Sequence, residues 1–124
     1  MRYFTEEEAR GYLPRLRQIL TVLRKVAEVS ARAGTNGHGR AAGSEEETVE
    51  IDPELDPEKA LAELTDEGIV LRDPRRGLVD FPSRHRSGKV IQLCWQLGED
   101  DLGWWHLPEE GFAGRRPLPV PPDL

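Results

Sequence analysis

Residues 78–117 read LVDFPSRHRSGKVIQLCWQLGEDDLGWWHLPEEGFAGRRP, and this stretch decides the fold. Its segment VIQLCWQL, positions 90–97, alternates large apolar residues with smaller or polar ones, which predicts a strand with one face against a core. Turns at Arg86–Lys89 and Gly98–Asp101 separate this strand from shorter ones at 78–81 and 102–107. With a further strand at 69–71, these short strands predict an antiparallel meander of three to four strands.

A long helix is predicted near the start of the chain. Thr5 and Glu8 form a Thr-x-x-Glu capping box. Apolar residues then recur at helical spacing as far as Ala33, which predicts a helix with one broad buried face. Pro14 lies inside this pattern and removes one backbone hydrogen bond, so we expect a kink near it.

A second, shorter helix precedes the strands. Asp56 and Pro57 are an N-cap and a proline at the first helical position, and Gly68 is a suitable left-handed C-cap. Residues 34–50 between the helices are rich in glycine and then in glutamate, which predicts a flexible loop. The expected fold is therefore α+β, an N-terminal helical hairpin with a long kinked first helix, packed on the meander. It forms a single domain over residues 1–116, followed by a Pro-rich tail, 117–124, that is extended or disordered.

Composition narrows the class of protein. The chain has 124 residues and a net charge of −6, which suits one soluble domain and disfavours general affinity for nucleic acid. It has a single cysteine, Cys94, so no intramolecular disulfide can form, and a reducing cytoplasm is the expected location. No apolar run approaches the ~18 residues that a membrane span requires, so no membrane partner is expected.

Three polar residues near the strands are candidates for a catalytic or metal site. Asp80 falls on the second strand, Glu99 at the turn before the last strand, and His106 at the end of that strand. If the strands pair in chain order, the three converge at one sheet edge, where they suit a divalent metal ion or general acid–base chemistry. The structural alternative is that the carboxylates organise turns and that His106 is half-buried. No His-x-x-x-His or Cys-x-x-Cys spacing supports a metal.

Aromatic and basic residues in the same region give candidates for ligand binding. Trp95 and Trp105 suit a ligand groove, a core or an oligomer interface, and adjacent Trp104 and Trp105 must point to opposite sheet faces. Arg115 suits a clamp for a carboxylate or phosphate, or a lock that pairs with Asp80 or Glu99 and holds the tail to the sheet, and we favour the lock.

Two further features have a structural and a functional interpretation. Mid-strand Cys94 is interpreted as a small buried apolar residue, with a catalytic thiol as the lesser alternative. A basic cluster surrounds two turns and suits either a solvated face or contact with RNA. Its members are Arg72, Arg75, Arg76, Arg84, His85, Arg86 and Lys89.

The motifs together resemble an uncharacterised bacterial family defined only as a domain of unknown function. The resemblance rests on Phe4–Ala9 and Leu13-Pro14 near the start, and on the pattern GLVDFP, LCW, GE, WH and GFAGR between positions 77 and 115. It implies that Asp80, Glu99, His106 and Arg115 are motif positions, and it implies no activity.

These observations favour a cytoplasmic binding or assembly module that forms homo-oligomers. The alternative is a metal-assisted hydrolase, or another small-molecule enzyme, that uses Asp80, Glu99 and His106 while Arg115 orients an anionic group. Convergence of the three around a cavity would favour the enzyme, whereas direct pairing of Asp80 with Arg115 would favour the module. RNA contact through residues 75–89 is a third alternative, for which nucleic-acid affinity must fall steeply with salt.

Overall fold

The computed structural model describes residues 2–33, 55–122 and 124, and the loop predicted at 34–50 lies outside them. The described residues form an α+β fold, as the sequence predicts, with two helices followed by an antiparallel sheet. Its helices and strands are α1 (Glu6–Ala33), α2 (Pro57–Glu67), β1 (Val70–Asp73), β2 (Leu78–Arg84), β3 (Val90–Gln96), β4 (Trp104–His106) and β5 (Arg116–Pro117).

The first helix begins at the predicted capping box. The backbone N–H of Glu8 donates to Thr5 Oγ1 and that of Thr5 donates to Glu8 Oε1, each over 3.0 Å. The helix α1 then continues to Ala33 with Pro14 inside it, so the proline does not divide it into two helices. Neither helix of the described residues is long and apolar enough to cross a membrane.

The second helix has both predicted caps. Asp56 Oδ1 accepts from the backbone N–H of Lys59 over 2.8 Å. Gly68 ends the helix in the left-handed region, at a φ of 82°. Glu63 of α2 then joins the two helices, because it accepts from the Tyr12 hydroxyl and from Arg15 Nη2, the latter over 2.9 Å.

The sheet has five strands rather than three to four. Each strand pairs antiparallel with the next along the chain, in the order β1-β2-β3-β4-β5. The additional strand begins the segment predicted as a Pro-rich tail, where Arg116 pairs with Trp105 and Pro117 with Trp104. The sequence gives no sign of this strand, because two residues are too few to show alternation of apolar and polar side chains. Pro117 lacks a backbone N–H, but proline is tolerated here because β5 is an edge strand.

One face of the sheet packs on the helices and forms the main core. Alternate residues of β2, β3 and β4 point to that face, so their large apolar side chains meet the buried stripe of α1 and α2. Leu118, Val120 and Leu124 of the C-terminal segment also pack against it. The largest fully buried members include Trp95, Trp105, Phe4, Phe81, Leu16, Ile19, Leu20, Leu64 and Leu93.

Candidate functional site

The sheet face that points away from the helices carries a buried polar cluster. Asp80 on β2 lies directly opposite Cys94 on β3, and His106 on β4 lies opposite Gln92, one diagonal step from Cys94. Asp80, Cys94 and His106 are only 1%, 1% and 2% exposed. One carboxylate oxygen, the thiol sulfur and one imidazole nitrogen all lie within 4.8 Å of one another. Strand pairing therefore brings together three side chains that can each ligate a metal ion.

Both nitrogens of the His106 ring face acceptors. Nε2 lies 3.0 Å from Asp80 Oδ1, and Nδ1 donates to the backbone carbonyl of Leu107 over 2.8 Å. The second oxygen of Asp80, Oδ2, accepts from Arg72 Nε over 2.7 Å. Because Asp80 holds Arg72 with one oxygen and His106 with the other, the imidazole ring has a fixed orientation.

The same contacts set the charges of the pair. Burial raises the pKa of Asp80, but the hydrogen bonds from His106 and Arg72 outweigh it and hold that pKa below its ordinary value of 3.8. The hydrogen bond to Asp80 and the nearby Cys94 side chain raise the pKa of His106 to about 10, against the opposing effect of burial. At neutral pH without a metal ion, an imidazolium therefore faces a carboxylate.

A pocket of about 160 Å³ opens above this cluster. The sheet side chains Arg72, Leu78, Asp80, Cys94 and His106 line one side of it. The segment after β4 lines the other side with Pro108, Glu110, Gly111 and Phe112. The three buried polar residues are thus reached through a small pocket with both polar and apolar walls.

The segment after β4 is held in place from both ends. Glu110 Oε1 accepts from the backbone N–H of Leu107 over 3.1 Å, and its Oε2 accepts from Arg116 over 2.8 Å. The Phe112 ring has two guanidinium neighbours, that of Arg76 at 4.4 Å and that of Arg115 at 4.7 Å from its centroid. These contacts fix the pocket wall relative to the sheet.

Of the three residues predicted to converge, the structure brings Asp80 and His106 together and places Glu99 elsewhere. Glu99 accepts from Arg115 Nη2 over 2.8 and 2.9 Å and from the backbone N–H of Gln96 over 2.9 Å. The Glu99 carboxylate thus connects the end of β3, at Gln96, to Arg115 in the segment before β5. Arg115 is therefore paired with Glu99 and not with Asp80, in the arrangement described above as a lock.

The candidate aromatic residues lie outside the pocket. Trp95 and Trp105 are 0% and 1% exposed in the helix-facing core. Trp104 points to the other face, as the alternation along β4 requires, and is covered by the Arg115 guanidinium at 4.9 Å. Within the described residues, no tryptophan lines the pocket.

Cys94 and Arg72 are the residues that sequence reasoning did not place at the site. Cys94 reads as a core residue because it lies between Leu93 and Trp95, yet alternation puts it on the opposite face from both. Arg72 belongs to the basic cluster predicted around the two turns. Arg72 lines the pocket, whereas Arg84 of the same cluster stacks on the Tyr3 ring at 4.6 Å. Only the exact register of β2 against β3 places Asp80 opposite Cys94, and the sequence pattern does not specify that register.

Comparisons with known proteins identify the family of this chain but assign no activity to it. No curated protein and no solved structure matches the chain. A family described as "Uncharacterized conserved protein (DUF2203)" matches residues 2–118. Because the match includes both helices, all five strands and nearly all the described residues, the chain belongs to this uncharacterised conserved family.

Proposed function

We propose that the protein is a metal-dependent hydrolase of small substrates, in which Asp80, Cys94 and His106 hold one divalent ion. The observation that carries the proposal is the convergence of a carboxylate oxygen, a thiol sulfur and an imidazole nitrogen within 4.8 Å at the floor of a pocket. Thiolate, imidazole and carboxylate together suit a borderline-soft ion, of which Zn²⁺ is the commonest example.

The spacing between two of the three atoms is close to what such an ion requires, and all three atoms lie within 4.8 Å of one another. Ligands at ordinary zinc distances in a tetrahedral arrangement lie about 3.4 Å apart. Asp80 Oδ1 and His106 Nε2 are 3.0 Å apart, so small side-chain movements would admit an ion between them. The Leu107 carbonyl that accepts from His106 Nδ1 directs Nε2 toward the ion, which is the usual outer support of a ligating histidine.

With three protein ligands, an ion would keep a further coordination position for a water or a substrate, and all three ligand residues line the pocket. An ion held there would supply Lewis-acid chemistry, by which the pKa of a bound water falls to about 7. The residues of this chain would orient the ion, exclude bulk water with the wall at Pro108–Phe112, and limit substrate size. At about 160 Å³ the pocket takes only a small reacting group.

Cobalt substitution tests the metal centre. After chelation and reloading with Co²⁺, we expect visible bands of a four-coordinate ion and a near-ultraviolet band from thiolate-to-cobalt charge transfer. C94S should abolish the charge-transfer band, H106Q should weaken Zn²⁺ binding, and E99Q should leave both unchanged because Glu99 lies outside the cluster. A parent protein that binds neither ion, or a band that survives in C94S, contradicts the metal centre.

Hydrolysis is tested separately on the zinc-loaded protein. Small activated esters and phosphate monoesters should be cleaved at a rate that depends on the ion and is lost in C94S. A fully loaded protein that cleaves none of them contradicts the hydrolase while the metal centre stands.

A homo-oligomeric binding module is the second candidate function. It is supported by apolar side chains that the helical hairpin leaves exposed, Val26 at 42%, Val29 at 59% and Leu61 at 48%. Native mass spectrometry should give a multiple of the 14.0 kDa chain, reduced to the single chain by V29E combined with L61E. A parent protein that is monomeric at micromolar concentration contradicts the module.

A further inference from the structure

We infer that the pocket recognises a small oxyanion, a terminal carboxylate or phosphate group, through the free edge of the Arg72 guanidinium. This inference names the substrate class of the proposed hydrolase and therefore builds on that function. Arg72 lines the pocket and uses only its Nε to hold Asp80. Within the described residues, its two terminal nitrogens have no hydrogen-bond partner.

The position of Arg72 follows from the sheet. Leu71 pairs with Val79 and Asp73 with Leu78, so the register shifts at Arg72, and β1 has an irregularity there. The side chain reaches Asp80 Oδ2 while Oδ1 of the same carboxylate faces His106. One carboxylate thus links the guanidinium to the candidate ligand atoms, so an anion held by Arg72 would lie beside the metal-binding cluster.

Charge in the pocket favours an anion. If a divalent ion were bound, the carboxylate of Asp80 and a Cys94 thiolate would balance its two positive charges. Glu110, the other acidic group on the wall, is paired with Arg116 at 2.8 Å. Although Arg72 is paired with Asp80, the ion, its two anionic ligands and Arg72 together would keep one net positive charge. Arg76 does not line the pocket, but it adds a second positive charge beside the wall residue Phe112, on whose ring it stacks.

The geometry of the donor and the size of the pocket restrict the anion further. A guanidinium edge offers parallel N–H groups that match two oxygens of a carboxylate or phosphate. A volume of about 160 Å³ is below the roughly 300–1,000 Å³ of pockets that enclose drug-sized ligands, so the pocket suits a small head group. The rest of the substrate would extend past Phe112 into solvent.

Titrations of the full-length protein by two-dimensional NMR test the inference, with inorganic phosphate, acetate and acetamide as probes. Metal-free and zinc-loaded protein are compared for the parent and for R72K, R72Q and R75Q. Arg75 is the matched control, because it lies three residues further along in the turn after β1, is exposed and does not line the pocket. Retained cobalt bands in R72K show that its Asp80–His106 cluster is intact.

We expect phosphate or acetate to shift the resonances of pocket residues, and neutral acetamide to shift none. Affinity should fall at least about tenfold in R72Q, less in R72K, and not at all in R75Q. The anion that binds more tightly identifies the head group. Equal binding of acetamide and acetate, or equal losses in R72Q and R75Q, overturns the inference.

The two proposals fail separately. Arg72-dependent anion binding to a protein that takes up no metal leaves the inference standing and removes the hydrolase. Metal uptake without any anion binding at the pocket retains the metal centre and overturns the inference.

Discussion

Asp80 accepts hydrogen bonds from two cationic side chains, and this sharing controls the protonation of His106. Removing Asp80 would leave the charge of His106 buried without a carboxylate partner, which is costly in a protein interior. Since His106 also donates to the Leu107 backbone, its ring cannot turn to find another acceptor without breaking a second bond.

The histidine should titrate far above its ordinary range in the metal-free protein. NMR of the ring protons in the presence of a chelator should give a pKa near 10 for His106, and H106Q identifies the signal. D80N should bring the pKa down toward 6.5, because the largest cause of its elevation is the hydrogen bond to Asp80. A parent His106 that titrates near pH 6.5 would contradict the buried ion pair.

The pH dependence of stability has a definite sign for each partner. The pKa of folded His106 is raised, so the stability that its ion pair with Asp80 contributes to the fold is complete below about pH 6.5. That stability is lost as the pH rises through about 10. The pKa of folded Asp80 is lowered, so its contribution is present above about pH 3.8 and is lost as the pH falls through the depressed value. Denaturation of H106Q beside the parent should show a difference that shrinks at both extremes.

Gly77 occupies a position where both conformation and space require glycine. Its φ is +66°, and a Cβ built there would lie 2.5 Å from the Leu97 Cβ. G77A should therefore destabilise the fold by about 1–3 kcal/mol more than G88A, whose site has φ +96° and open space and costs about 1 kcal/mol. Urea denaturation of both variants makes the comparison, and equal losses would refute the close approach.

The helical hairpin is joined by a polar contact whose strength should depend on pH. Glu63 of α2 accepts from Arg15 and Tyr12 of α1, and the hydrogen bond from Arg15 is the largest cause that lowers the pKa of Glu63. Burial and the hydrogen bond to Glu63 raise the pKa of the Tyr12 hydroxyl above its ordinary value.

Neutralising Glu63 should loosen the hairpin at neutral pH. E63Q is expected to lower the free energy of unfolding by about 1 kcal/mol at pH 7. Because the folded pKa of Glu63 is lowered, this loss should be complete above the ordinary 4.5 and should vanish as the pH falls through the depressed value. Exposed Glu28 of α1 provides the control, and an E28Q loss as large as that of E63Q would count against the contact.

The hairpin between β2 and β3 shows where sequence reasoning ended. The first four strands, both α2 caps and the capping box follow from local chemistry and were predictable, whereas the two-residue strand β5 was not. A two-residue turn centred on Ser87-Gly88 would pair Asp80 with Trp95. The chain instead uses a longer loop, closed by a hydrogen bond from the backbone N–H of His85 to the carbonyl of Lys89, and this loop pairs Asp80 with Cys94. A one-residue difference in register decides which side chains share a face, and composition does not encode it.

The C-terminal segment belongs to the folded body of the molecule. Leu118 donates to the Gly103 carbonyl over 2.9 Å, and its side chain packs on the core with those of Val120 and Leu124. The Pro-rich composition suggested an extended tail, because proline content obscures the apolar residues between the prolines. Truncation after Pro117 should therefore lower the free energy of unfolding by about 2–4 kcal/mol in urea denaturation. An unchanged midpoint would show that the packing contributes nothing.

Strand pairing places Trp104 directly opposite Cys94, so the indole and the thiol occupy adjacent strands. Paired residues on neighbouring strands lie about 5 Å apart. A paramagnetic ion bound at Cys94 would quench the fluorescence of this half-exposed indole more than that of Trp95 or Trp105 in the core. The fluorescence of Trp104 would therefore report the binding of a paramagnetic ion such as Co²⁺ at the cluster, without an attached dye.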